Sequence, residues 1–196
     1  LIQALGNEVV KLYRGKVRAR YVTSEKFTNE VIWAMKNKRM ESIKEKYRMV
    51  DVLIIDDIQF IAGKARTEEE FFHTFNALYD AHKQIIISSD RTPKDISNLE
   101  DRLVSRFGWG LVTDVQPPDF ETRVAILKKK IEHESTTIPD EVIFFIAQTL
   151  KTNIRELEGA LIRVLAYSLL ESKPITIEST KEVLKDLLKE STKTIT

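Results

Sequence analysis

The sequence predicts an α/β fold, a parallel sheet with helices on both faces, followed by a small all-helical subdomain. Apolar segments of strand length alternate with helical segments through about residue 115, as in a doubly wound parallel sheet. After Pro117-Pro118-Asp119 the patterns are helical, apart from a short extended segment at 175–177. The predicted boundary therefore divides residues 1–117 from residues 118–196.

The first part opens with alternating helices and strands. Apolar residues at positions 1, 2, 5, 9, 10 and 12 have helical spacing and predict a helix over residues 1–13. Residues 18–23 are a strand candidate, and Ser24 is placed to cap a helix over about 25–37. A further helix over about 40–47 leads into the next strand.

That next strand ends in two carboxylates. Four apolar residues, Val52 to Ile55, run directly into Asp56 and Asp57. Such a run predicts a strand buried on both faces, with the acids at the carboxyl end where parallel sheets hold ligands. This is the form of a Walker B segment, in which one carboxylate positions Mg²⁺ through water and the other polarises the attacking water. An acidic turn after a core strand, or the Mg²⁺ site of a receiver domain, fits the same residues.

The rest of the first part contains one long helix and two strands. Thr67-Glu68-Glu69-Glu70 has the pattern of a capping box and predicts the start of the helix. Apolar segments predict strands over residues 84–88 and 111–115. The buried face of the helix is predicted to hold four residues: Phe71, Phe72, Phe75 and Leu78.

The second part is predicted to contain four helices. Asp119 caps the first, which extends to about residue 133. Pro139 opens the second, to about residue 150, and Asn153 caps the third. The last covers about residues 180–189.

Composition excludes several classes of protein and site. The 196 residues carry a formal net charge of +1, so a nucleic-acid contact would have to come from local residues. The sequence has no cysteine, which excludes disulfides and thiolate metal sites within it. It has no apolar run long enough to span a bilayer and no signal peptide pattern.

Further polar residues follow the acidic strand. The strand over 84–88 is followed by polar Ser89 and Asp90, and a polar residue at that strand end would reach water or phosphate held by the acidic pair. Arg102 and Arg106 are four residues apart and lie on one helix face, and Arg155 lies in the first turn of a capped helix. Guanidinium groups near a metal site are suited to phosphoryl transfer, because they neutralise charge on the phosphoryl oxygens.

Together these segments resemble the AAA+ ATPase domain of the DnaA family of bacterial replication initiators, over essentially the whole chain. The resemblance implies a P-loop NTPase-type parallel sheet in residues 1–117 and a helical lid, with the start of a linker, in residues 118–196. The most specific pieces are IDDIQF at 55–60, EFFHTFN at 70–76, DRLVSRFGWG at 101–110 and RELEGA at 155–160.

The resemblance implies site roles, with ATP or ADP and Mg²⁺ as cofactors. Asp56 would orient Mg²⁺ through water, and Asp57 would take the catalytic-base position. Asp90 matches the residue called sensor I. Arg106 matches the arginine finger, which acts on ATP bound by a neighbouring subunit, and Arg155 matches sensor II, which reaches the γ-phosphate within one subunit.

It also implies contacts with DNA and between subunits. The paired helices before the acidic strand match an insertion that grips single-stranded origin DNA, with Ile32 as an apolar contact. Lys64 and Arg66 would contact phosphates, which predicts strong salt dependence and little sequence preference. Arg48 and Arg102 match subunit-contact residues.

Some of these residues have structural alternatives. Helical periodicity does not separate Ile32 from the neighbouring Val31, so Ile32 fits a core position equally. The two cations at 64 and 66 fit a solvated loop. Arg155 fits a pairing with Glu158, and Arg102 fits a surface residue paired with a nearby acid.

The sequence departs from the family in lacking a Walker A loop, G-x-x-x-x-G-K-[ST], whose amides and lysine hold phosphates. The strand before that loop, expected between those at 84–88 and 111–115, is also missing. We therefore expect a fragment of a longer chain that binds nucleotide poorly by itself. The family's helix-turn-helix domain, which reads duplex origin DNA, is expected downstream.

The expected function of the parent protein is ATP-dependent initiation of replication in the cytoplasm, associated with the nucleoid. It would bind and slowly hydrolyse ATP, assemble with other copies through Arg106 and engage origin DNA, with the replicative helicase or regulators as possible partners. The alternatives are a DnaA-like regulator or helicase loader without the duplex-reading domain, a receiver domain, and a nucleic-acid-binding module without turnover.

Overall fold

The structure is a computed structural model that describes residues 2–132, 136–151 and 153–187. The chain forms two compact units, residues 1–113 and residues 114–196, which are described separately. No helix of the described residues is both long enough and apolar enough to cross a membrane.

The first unit contains three strands and five helices among its described residues, with short 3₁₀ turns at Ile58–Ile61 and Pro93–Asp95. In chain order the elements are α1 (Ile2–Leu12), β1 (Ala19–Thr23), α2 (Ser24–Lys36), α3 (Met40–Arg48), β2 (Val52–Asp56), α4 (Ala65–Asp80), β3 (Gln84–Ile87) and α5 (Asp101–Phe107).

The three strands form a parallel sheet in the order β1-β2-β3. Ile55 of β2 lies opposite Val22 of β1 and Ile87 of β3. Because the strands are parallel and in this register, their carboxyl ends lie at one edge of the sheet. The predicted order of strands and helices is confirmed up to the end of β3.

Strand β2 is buried on both faces, as its apolar run predicts. Leu53 and Ile55 lie in a core with Phe27 of α2 and Phe71 of α4. Ile54 lies on the opposite face of the sheet, against α1. The helices therefore cover both faces, in agreement with the predicted fold class.

The predicted strand over residues 111–115 is wrong. These residues have no regular secondary structure, and Leu111 is 95% exposed. No strand of the described chain pairs with them. A strand needs a neighbour to pair its N–H and C=O groups, so an apolar pattern alone does not form one.

Two predicted helix caps in the first unit are also wrong. Thr23, not Ser24, caps α2, and its hydroxyl accepts from the N–H of Lys26 at 3.3 Å. Helix α4 begins at Ala65, so the predicted cap Thr67 is a buried residue inside it. Glu68 of the first turn instead binds another element, accepting from the N–H of Glu100.

The second unit is a helical bundle. The described helices are α6 (Phe120–Ile131), α7 (Asp140–Thr149), α8 (Ile154–Glu171) and α9 (Ile177–Val183). The predicted caps Asp119 and Asn153 are confirmed, accepting from the N–H groups of Thr122 at 2.8 Å and Arg155 at 2.9 Å. Helix α9 begins three residues before its predicted start, because Thr176 and Ser179 form a capping box.

Buried Arg123 joins two of these helices. Its guanidinium donates to the carbonyl oxygens of Ala147 and Pro118, each at 2.7 Å. Apolar residues of all four helices, including Leu127, Ile143 and Leu161, form the core of the bundle.

Gly6 controls how closely α1 approaches the sheet. A Cβ atom at Gly6 would lie 2.6 Å from Cδ1 of Ile54, which is 1% exposed and cannot swing into solvent. We expect Gly6→Ala to lower the free energy of unfolding by up to about 2 kcal/mol, because overpacking costs about 1–3 kcal/mol and the helix propensity of alanine offsets about 1 kcal/mol of that cost. Chemical denaturation measures this.

Gly159→Ala is the matched control, since a Cβ atom added at this position of α8 would have nothing within 4 Å of it. It should leave stability unchanged or raise it. A Gly6→Ala protein more stable than wild type would contradict the close approach.

Asp51 joins the beginnings of the three strands. Its carboxylate accepts from the N–H of Arg18 at 2.9 Å and from Nζ of Lys83 at 2.8 Å. The Lys83 hydrogen bond, with that from Arg18, lowers the Asp51 pKa from 3.8 to about 2. The contribution of this carboxylate to stability is therefore present above about pH 4 and is lost as the pH falls towards 2.

We expect Asp51→Asn to lower the denaturation midpoint at pH 6 and to match wild type near pH 2. Denaturant titrations across this range measure the difference. Asp80→Asn, at an exposed position ending α4, should differ from wild type by the same amount at both pH values. A difference at pH 2 as large as that at pH 6 would contradict the assignment.

Candidate functional site

The candidate site lies at the carboxyl edge of the sheet, where β2 ends in Asp56. The Asp56 carboxylate accepts hydrogen bonds from the phenol of Tyr21, at 2.7 Å, and from the hydroxyl of Ser88. Partial burial opposes its ionisation, but the hydrogen bonds from Ser88 and Tyr21 outweigh burial and lower its pKa. Asp56 is therefore an oriented, ionised carboxylate.

Tyr21 is the β1 partner in this contact. Its hydrogen bond to Asp56, with some burial and the charges of both acids, raises its pKa from 10.0 to about 12. The phenol therefore remains protonated and donates to Asp56 throughout the neutral range. The sequence analysis did not identify Tyr21, because it lies 35 residues before its partner.

Asp57 has a left-handed backbone, with φ 56° and ψ 53°. Its N–H donates to the Ser88 hydroxyl oxygen at 3.0 Å, and its carbonyl accepts from the hydroxyl of buried Ser24 at 2.6 Å. This conformation is unfavourable for residues other than glycine and is tolerated best by Asn and Asp. Ser24 and Ser88 hold the strained residue from both sides.

Ser88 was missed as a site residue, although a polar residue was predicted to act at the end of β3. Its hydroxyl donates to Asp56 and accepts from the N–H of Asp57, so one side chain joins both acids. The residue chosen from the sequence was Asp90, whose carboxylate binds the Arg91 guanidinium through two contacts of 2.8 Å. The role of Asp90 as sensor I stays a prediction.

The acidic pair fits a Mg²⁺ ion held mainly through water. No group of three or more His, Asp or Glu residues suited to a metal ion occurs in the described parts of the chain. Magnesium in nucleotide sites is bound by one or two carboxylates, waters and phosphates, which needs no such group. Gln59 lies beside the pair, donating to Asp57 at 3.4 Å, and its Oε1 is buried without a partner among the described atoms.

Arg102 and Arg106 lie on one face of α5, as predicted. Arg102 pairs with Glu100 and lies over the ring of Phe72, 4.6 Å from its centroid. This is the pairing with a nearby acid that the sequence analysis gave as the alternative for Arg102. Arg106 lies 4.0 Å from the ring centroid of Trp109 and 5.7 Å from that of Phe72. Their roles between subunits stay predictions.

Arg48 has a partner within the first unit. Its guanidinium binds the carboxylate of Glu70 at 2.6 Å, and the two side chains are 20% and 13% exposed. Nε also contacts the Thr74 hydroxyl at 3.4 Å. These contacts join α3 to α4 and account for Arg48 without a neighbouring subunit, and its subunit role stays a prediction.

The residues predicted to contact DNA are exposed. Ile32 is 41% exposed while Val31 is fully buried, so the core alternative for Ile32 is wrong. Lys64 lies immediately before α4, and Arg66, in its first turn, makes only a loose contact with Glu69 at 3.7 Å. The contact of these residues with DNA stays a prediction.

Arg155 lies in the second unit, exposed in the first turn of α8. Its predicted alternative partner, Glu158, instead binds Lys130 at 3.2 Å. That alternative is not observed, and the sensor II role of Arg155 stays a prediction.

Comparison with known proteins places this geometry in a family. The family model for the bacterial DnaA ATPase domain matches residues 1–114. The chain belongs to the bacterial DnaA ATPase domain family. The chromosomal replication initiator protein DnaA of Caldanaerobacter subterraneus subsp. tengcongensis is 56% identical over all 196 residues, which make up 44% of that protein. The chain therefore spans less than half the length of this DnaA relative.

Solved structures of DnaA proteins have the same fold. Domain III of the Thermotoga maritima replication initiation protein DnaA superposes with a TM-score of 0.90 at 44% identity, covering 95% of this chain and 78% of that one. A replication initiator DnaA bound to AMPPCP and single-stranded DNA superposes with a TM-score of 0.72 at 38% identity, covering 83% and 49%. The predicted fold class and the DnaA resemblance are confirmed.

Removing the Ser88 hydroxyl should weaken the link between the two acids. We expect Ser88→Ala to lower the free energy of unfolding by about 1–3 kcal/mol, because the half-buried Asp57 N–H loses its partner. Chemical denaturation measures the change. Ser89→Ala, one residue on and exposed, should change stability by no more than about 0.5 kcal/mol. Equal effects of the two substitutions would contradict the linking role of Ser88.

Proposed function

We propose that these residues are the ATPase region of a replication initiator that binds and slowly hydrolyses ATP, assembles on the chromosomal origin and engages single-stranded DNA. The observation that carries the proposal is the acidic pair Asp56 and Asp57 at the carboxyl end of β2, in a chain of the DnaA family. The similarity to a DnaA structure bound to AMPPCP and single-stranded DNA supports both ligands.

The two acids have different roles at the nucleotide. Asp56, held by Tyr21 and Ser88, presents a fixed negative charge that orients Mg²⁺ through water. When bound, Mg²⁺ neutralises charge on the phosphates. Asp57, whose position is set by Ser24 and Ser88, orients the attacking water and accepts its proton.

Two arginines have proposed roles in ATP recognition. Arg106 acts in a neighbouring copy's site, where its guanidinium binds the γ-phosphate and reports that ATP is bound. Arg155, exposed at the start of α8, has the sensor II role. Arg48 and Arg102 lie at the contact between copies, and Asp90 acts as sensor I. Residues 1–117 form the nucleotide-binding core and residues 118–196 the lid.

The DNA surface combines one apolar and two cationic side chains. Exposed Ile32 contacts the strand, and Lys64 and Arg66 contact its phosphates. Because these contacts are to the backbone, binding should have little sequence preference and weaken steeply with salt. The protein acts in the cytoplasm at the nucleoid, where a duplex-reading domain would locate the origin and helicase or regulators would join it.

Asp57→Asn separates binding of ATP from its hydrolysis. Asn tolerates the left-handed backbone of this residue, so the substitution removes the charge without adding strain. In the full-length protein we expect hydrolysis to fall by about 10²-fold while ATP affinity stays within about threefold of wild type. Filter binding and single-turnover hydrolysis of labelled ATP measure the two quantities.

Asp51→Asn is the control, since it changes the same side chain at the opposite end of β2. Its hydrolysis should equal that of wild type at neutral pH. Unchanged hydrolysis in Asp57→Asn would sink the catalytic assignment, and a wild-type protein that binds no ATP would sink the proposed function.

A further inference from the structure

Arg106 lies against aromatic rings rather than against an acid. Its guanidinium carbon is 4.0 Å from the ring centroid of Trp109 and 5.7 Å from that of Phe72. No carboxylate of the described residues lies within ion-pair distance of it, whereas Arg102, one turn earlier, binds Glu100. The neighbouring arginines of α5 are therefore held by different partners.

An aromatic partner leaves the donors of an arginine available. The ring attracts the cation through its face, and the N–H groups at the edge of the guanidinium form no hydrogen bonds to it. A carboxylate would occupy two of those donors in a bidentate pair. Arg106 is thus oriented while its N–H groups remain able to bind an anion such as phosphate.

The Trp109 ring is itself anchored to the core. It contacts Tyr79 at a centroid distance of 5.7 Å, and Tyr79 stacks on Phe75 at 6.2 Å. Phe75 is 7% exposed and packs against Phe107, the last residue of α5. The indole is 56% exposed, but its contact with Tyr79 holds it against α4.

The turn after α5 fixes the indole relative to Arg106. The N–H of Trp109 donates to the carbonyl of Arg106 at 3.1 Å, and the N–H of Gly108 donates to that of Val104 at 3.2 Å. These backbone hydrogen bonds hold Arg106 and Trp109 at a short, constant separation. The indole ring therefore lies within reach of the Arg106 guanidinium.

We infer that Trp109 is a positioning residue for Arg106: its ring holds the guanidinium by a cation–π contact, with the N–H donors directed to a phosphate group of nucleotide bound by a second copy of the chain. The inference rests on the proposed function, because it needs ATP-dependent assembly. It assigns no contact between Trp109 and the nucleotide.

The test measures ATP-dependent assembly of the full-length protein without DNA, by sedimentation velocity over a range of protein concentrations. Trp109→Leu should raise the concentration at half-assembly by about 3–30-fold, the range expected for loss of a cation–π contact. Trp109→Phe keeps a ring and should stay within about threefold of wild type. Trp33→Leu, at the other tryptophan, 51% exposed, should have no effect.

A double substitution separates positioning from general loss of structure. If Trp109 acts through Arg106, then Trp109→Leu should add nothing to the defect of Arg106→Ala, since the contact is already absent. ATP binding by the unassembled protein should be unchanged in every variant. Additive defects, or normal assembly of Trp109→Leu beside a defective Arg106→Ala, would overturn the inference and leave the proposed function intact.

Failure of the proposed function has a different signature. A wild-type protein that does not assemble with ATP, or an Arg106→Ala protein that assembles normally, would overturn the proposed role of Arg106 between copies, and the inference with it.

Discussion

Strand β2 is buried on both faces, and the arrangement of the first unit depends on this burial. Its alternate residues face two separate helical layers, so the register of the strand is set. Shifting the pairing by one residue would exchange Ile54 with Leu53 and Ile55 between the two faces of the sheet, and would remove Ile54 from its close approach to Gly6. The position of Asp56 at the sheet edge follows from this register.

The acidic edge is held by three hydroxyl groups, which come from β1, from the start of α2 and from the end of β3. Tyr21 from β1 and Ser88 after β3 converge on Asp56 at the end of β2, while Ser24 and Ser88 bind the backbone of Asp57. These contacts fix a left-handed residue and an ionised carboxylate side by side. The same network ties the start of α2, which carries Ile32, to the backbone of Asp57. The proposed nucleotide site and the helix that carries the exposed Ile32 therefore share one set of hydrogen bonds.

The two arginines of α5 lie on one helix face but have different surroundings. Helical periodicity places Arg102 and Arg106 on one face, and both lie near Phe72. One is paired with an acid and the other with an indole. Sequence spacing predicts their shared face, whereas the packing of Trp109 on Tyr79 decides which guanidinium keeps its donors available.

The sequence by itself determined the order of β1 to β3 and their helices, the buried character of β2, the acidic strand end and the helical second unit, because these depend on local periodicity, caps and turn residues. It also carried the DnaA resemblance, through motifs contiguous in the chain. Only the tertiary structure decided that Ser88 and Tyr21 hold Asp56, that Arg48 binds Glu70 and that Val31, not Ile32, is core. It also decided that residues 111–115 are not a strand. Each of these depends on a partner more than twenty residues away, on the direction of a helix face, or on a neighbouring strand, and local pattern contains none of that information.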